Sequence, residues 1–171
     1  MRHFATAAVV LAVLASASSA ADVELVSSDR NAVVVRCVSE EPHLREFEAA
    51  GVQYTIPGLD GADVLGIQGA PNLPVLTVRL AVPECRGVRH LVTTSGGGRI
   101  GGMRPLPEPT LMPEQKGRPS ESVFLEGSVY EGEGLWPESP AVVTEPLYFA
   151  TQRVVEVEFT PCRYDRSSGA L

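Results

Sequence analysis

The chain has 171 residues, with 44% hydrophobic, 20% charged and 6% aromatic side chains, which leaves room for one domain with its own core. Sixteen glycines and fourteen prolines exclude long helices and favour many short extended segments. Fourteen basic against 21 acidic residues give a formal charge of −7, and Lys116 is the one lysine. No dense cationic run exists to hold a nucleic-acid backbone or an anionic membrane, so neither is expected as a partner.

Met1–His3 is a short basic start, Phe4 to Ala15 is apolar, and small residues follow to Ala21. This is the layout of a secretory leader, and Ala15-Ser16-Ala17 and Ser18-Ser19-Ala20 both offer the small-x-small pattern a signal peptidase needs. Residues 1–20 are read as a signal peptide and 21–171 as the exported domain, bound for the cell envelope, the periplasm or the medium.

In chain order, Ala32–Val38 is a β-branched strand. Leu44 to Ala50 fits either a helical turn or two or an irregular strand, and Gly51 ends it. Val52–Ile56 alternates and stops at Pro57-Gly58. Val75–Val82 has the pattern of a central strand bounded by proline, with Gly87–Thr94 expected as its partner across Pro83–Arg86. Ser95–Gly102 reads as a flexible tip. Arg104 to Pro119, with Pro105, Pro107, Pro109, Pro113 and Pro119, reads as a linker or a surface strap with solvated backbone.

Glu126 to Pro140 is turn-rich, and Ala141–Phe149 and Arg153–Pro161 are the last strands. In the second, Val155, Val157 and Phe159 face one way, and Glu156, Glu158 and Thr160 face the other, towards solvent. Tyr164–Gly169 is a hairpin-type turn, and the chain stops where a returning strand should begin. The expected fold class is all-β, an antiparallel β-sandwich incomplete at its C-terminal end and cut from a longer precursor.

Chemistry has few footholds. Cys37, Cys85 and Cys162 are 48 and 77 residues apart, which fits no metal-ligand spacing. An odd number leaves one thiol over, and the pairing cannot be read from sequence. His43 or His90 could meet Cys37 or Cys85 in space, but no flanking signature of a Cys/His dyad accompanies them. Ser95–Gly102 is glycine-rich but lacks the Lys-Ser/Thr ending of a phosphate loop. The expectation is no catalytic residue, no metal and no cofactor. The residues alone also allow a stand-alone extracellular β-sandwich used for binding or adhesion.

Two stretches carry a resemblance. Gly69-Ala70-Pro71-Asn72-Leu73-Pro74-Val75, running into Leu80-Ala81-Val82-Pro83, resembles the G-x-P-x-L-P segment of gingipain-type cysteine peptidase propeptides. Trp136-Pro137, then Arg153 to Asp165 and Ser167-Ser168-Gly169-Ala170-Leu171, resembles the closing block of the same family. Arg166 stands where that family often has proline, and Cys162 at a position that is usually not cysteine.

The resemblance implies a β pro-domain that assists folding of a cysteine peptidase domain and holds it latent. The catalytic domain would be its partner in the same chain, with its own Cys and His beyond Leu171. A loop that fills a peptidase cleft must be extended, accessible and anchored. The Ser95–Arg104 tip meets those conditions, which makes Arg99 and Arg104 the inhibitory-loop candidates.

Overall fold

Short alternating runs cut by Gly and Pro satisfy their backbone groups by pairing with one another. The computed structural model describes residues 21–29, 31–84, 87–112 and 121–171. Its strands are β1 (Ala21–Ser28), β2 (Val33–Ser39), β3 (His43–Ala49), β4 (Val52–Gly58), β5 (Asp63–Val64), β6 (Pro74–Ala81), β7 (Thr110–Met112), β8 (Glu121–Val123), β9 (Leu135–Trp136), β10 (Ala141–Val143), β11 (Leu147–Phe149), β12 (Gln152–Phe159) and β13 (Tyr164–Asp165). Among the described residues the helical content is one 3-10 turn at Ser128–Glu131. The expected all-β, antiparallel class holds.

One sheet organises the molecule. β12 pairs with β6 along one side and with β10 and then β11 along the other, while β5 pairs with the start of β6. Val155, Val157 and Phe159 stand opposite Leu80, Val78 and Leu76, so alternation in both strands delivers their large apolar side chains to one face. The β1–β2 hairpin lies over the Leu76/Phe159 end of that face. Ala21, Val23 and Cys37 pack there with Leu59, Ala62 and Cys162. The remaining pairs, β3–β4, β7–β8 and β9–β13, are separate two-stranded ribbons, so ribbons take the place of a continuous second sheet.

The structure corrects several expectations. Gly87–Thr94 is not a strand, and the partner of β6 is β12, 70-odd residues later in the chain. β12 repeats an apolar residue at every second position on the face β6 needs, whereas 87–94 breaks that pattern with Gly87 and Arg89-His90. Ala141–Phe149 is two strands, because Glu145-Pro146 interrupts the ladder and Thr144 Oγ1 accepts the Glu156 N–H instead (2.9 Å). Thr160 is buried, with its N–H on the Pro140 carbonyl (2.8 Å), not solvent-facing. Of the two readings left open for Leu44–Ala50, the strand is the one formed. It returns through Ala50-Gly51, both with φ positive (50° and 78°), as a two-residue hairpin of matching twist requires.

The largest correction concerns the prolines. Arg104–Pro109 is no surface strap. Pro105 and Pro107 are among the most completely buried side chains, and Leu106 is buried between them. A proline has no N–H, so every second residue can enter the interior without an unsatisfied donor. The residues between do pair: Leu106 N–H donates to the Thr55 carbonyl (3.0 Å) and Glu108 N–H to the Ala70 carbonyl (2.8 Å). Their carbonyls accept in turn from Asn72 (2.8 Å) and Gly69 (2.9 Å). Residues 1–20, where a leader is expected, Cys85 and the end of the proline-rich run at 113–120 lie outside the described residues.

Candidate functional site

The two arginines singled out by sequence lie on one strap, residues 99–109, and the two sequence blocks that carry the resemblance grip its two ends. The first block builds a groove for the proline half. Leu73 and Pro71 are fully buried there, and Asn72 Nδ2 donates to Glu108 Oε2 (2.9 Å). Gly69 has φ 73°, and its carbonyl accepts the Gly127 N–H at 2.7 Å. A Cβ on Gly127 would sit 3.1 Å from that oxygen, so the close approach relies on glycine at both positions.

The second block holds the other half. Ile100 and Leu171 exchange both backbone hydrogen bonds (2.8 and 2.9 Å), and Met103 N–H donates to the Gly169 carbonyl (2.9 Å). The residues after the Asp165 turn are therefore paired, and Ile100–Met103 is not a free tip. Asp165 closes the turn by accepting from the Ser167 N–H (3.0 Å) and the Ser168 hydroxyl (2.6 Å). Those bonds, the Ser168 hydroxyl first, hold its carboxyl below the usual range. Arg166, where proline is common in the resembling family, donates from its backbone N–H to the Gly134 carbonyl (3.0 Å) and from its guanidinium to the Gly134 and Glu133 carbonyls. Proline could make none of these bonds.

Arg99 donates to Asp165 Oδ2 at 3.0 Å, with its side chain 63% exposed. Arg104 instead makes two bonds to Glu126, Nε to Oε1 and the second nitrogen to Oε2, both 2.6 Å. The hydrogen bonds to Arg104 hold the Glu126 carboxyl low, and Glu126 holds the guanidinium proton more tightly. Tyr54 also bonds Glu126, and the Tyr130 hydroxyl donates to the Pro105 carbonyl (2.7 Å). Burial pushes the Tyr130 hydroxyl up, and its ring stands 6.0 Å from that of Tyr164. A polar cleft of about 170 Å³ opens beside this cluster, lined by Glu46, Gln53, Tyr54, Thr55, Gly102 and Arg104. Sequence reasoning missed Glu126 and Asp165 as anchors. They are 22 and 66 residues from their arginines, and no local signal links such pairs.

The thiols and imidazoles are dispersed. Cys162 is buried, and burial alone pushes its thiol up to about 11. Cys37 stands opposite Val23 in the β1–β2 ladder and is likewise raised, by burial first and then by Asp22. His43 lies against Gly58 in the β3–β4 ribbon, and His90 is exposed outside any strand. Among the described residues no group of three or more His, Cys, Asp or Glu could hold a metal ion.

The fold is that of gingipain pro-domains. The chain superposes on the complex of Porphyromonas gingivalis RgpB pro- and mature domains with a TM-score of 0.74 at 20% identity, covering 86% of this chain and 77% of that one. It superposes on gingipain K from Porphyromonas gingivalis, solved to explain zymogenic latency, with a TM-score of 0.59 at 18% identity, covering 91% and 92%. The Propeptide_C25 family model matches residues 15–171, so the chain belongs to that family and is a pro-domain. No curated protein matches it.

Proposed function

We propose that this chain keeps a gingipain-like cysteine endopeptidase latent during export and helps it fold, with the catalytic domain as its partner in the same polypeptide. The observation that carries this is the family match across residues 15–171. A domain that binds only the folded state of its partner stabilises that state by mass action, and a tether raises its effective concentration to the millimolar range. Residues 1–20 serve as the export leader in this reading.

Of the two arginines, Arg99 is the one offered to a specificity pocket. Its single ion pair with Asp165 is solvated and screened, so it can be exchanged for a partner carboxylate. Arg104 is held by two short bonds and belongs to the domain's own framework.

The test is latency of the unprocessed precursor, read as hydrolysis of a small peptide amide. Arg99→Ala is expected to raise basal hydrolysis about tenfold with an unchanged melting temperature. Equal latency with and without Arg99 removes the arginine assignment. A wild-type precursor that is fully active removes the latency reading, and a stop codon directly after Leu171 supports the stand-alone module instead.

A further inference from the structure

We propose that the outer half of the β1–β2 hairpin is a preformed arm on which the catalytic domain rests. This inference depends on the latency reading and names where the two domains touch. The hairpin's inner half is accounted for, since Ala21, Val23 and Cys37 enter the core. Its outer half is not: Leu25, Val26, Val33 and Val34 are 47%, 45%, 37% and 48% exposed. The register shifts between Leu25 and Ser27, so Val26 stands outside the ladder as a bulge, a device that re-aims a side chain.

The arm is held in shape. Asp29 Oδ1 accepts from the N–H groups of Asn31 (2.6 Å) and Ala32 (2.9 Å), and the Asp29 N–H donates to the Ala32 carbonyl (2.9 Å). A lone two-stranded ribbon is marginal in water, and among the described residues no third strand joins this one. Leu25 and Val33 lie on the face that carries Val23 and Cys37 towards the core, whereas Val34 shares its face with Arg36, which pairs with Glu24 at 2.8 Å, so the arm offers apolar side chains on both faces to a groove that surrounds it.

Size selects the occupant. Shared between the two faces of the ribbon, four side chains at these exposures present roughly 300 Å², against about 800 Å² per partner in a standard interface. Two copies meeting arm to arm would bury roughly 600 Å², short of the about 1,000 Å² that a stable dimer needs. A patch of this size works when its partner is already tethered, which is the situation of a catalytic domain on the same chain.

The test uses the full precursor carrying Val26→Thr and Val34→Thr together. Threonine keeps the β-branched shape and strand preference while replacing one methyl by a hydroxyl. The comparison pair is Leu147→Thr with Phe149→Thr on β11, 41% and 64% exposed. A melting curve of each precursor checks that it folds. The hairpin pair is expected to raise basal peptide hydrolysis about tenfold, with the β11 pair unchanged. Hairpin variants as latent as wild type, or β11 variants that leak equally, overturn the proposal. So does a precursor that light scattering finds dimeric and that the hairpin pair makes monomeric. A wild-type precursor without latency overturns the pro-domain reading itself, and the arm with it.

Discussion

Arg104 anchors the strap to the body of the domain. It joins the strap to Glu126 by two bonds, and Glu126 reaches Tyr54 on β4. The pair is partly solvated, so its worth is discounted to about 1 kcal/mol. Glu126 has a folded pKa below its unfolded value, so its contribution is complete at neutral pH and lost as pH falls through the folded value. Glu126→Gln is expected to lower the melting temperature at pH 7 by a few degrees, and the gap to wild type should narrow as pH falls below the ordinary glutamate value of about 4.3 and through the lower folded one. A constant gap across that range would exclude the ionised pair as its source. Cys162 gives a second check at this scale. With its thiol pushed up to about 11, it should resist iodoacetamide at pH 8 in the native state and label readily in urea, as read by mass spectrometry.

At the level of elements, two hairpins turn through a non-glycine residue in the left-handed region, Ala50 (φ 50°) and Ala150 (φ 56°). That conformation costs an alanine about 1 kcal/mol, part of which glycine gives back through unfolded-state entropy. Ala50→Gly and Ala150→Gly should each stabilise the domain by about 0.5 kcal/mol in urea unfolding, with the ladders intact. The buried strap behaves in the opposite sense. Pro107→Ala adds an N–H to a fully buried position, and an unsatisfied buried donor costs about 1–3 kcal/mol. A midpoint shift of that size is expected, and a neutral outcome would mean that the strap is solvated.

Across the whole molecule, the strap 99–109 ties the 68–72 segment ahead of β6, the β3–β4 ribbon and the Asp165 turn together. Gly169 has φ 61° and its carbonyl accepts the Met103 N–H. Gly169→Val would force a β-branched side chain into that conformation at a cost of about 1–2 kcal/mol. The expected result is faster trypsin cleavage after Arg99, with Arg104 still protected because Pro105 follows it and the groove holds it. Mass analysis of the early fragments would decide, and unchanged cleavage would mean that the clasp does not restrain the strap.

Much of this architecture is legible in the residues. The alternation of Val155, Val157 and Phe159, the proline stops of β6, and the two blocks around Gly69 and Tyr164 gave the all-β class and the pro-domain family. Those signals are local, because a pleat puts every second side chain on one face and glycine or proline ends it. Partner choice is not local. That β12 rather than 87–94 pairs with β6, that the prolines run through the interior, and that Glu126 and Asp165 hold the arginines follow from contacts between distant parts of the chain. Only the assembled tertiary structure sets them, because a proline-rich run has the same sequence whether water or a groove of paired carbonyls and amides surrounds it.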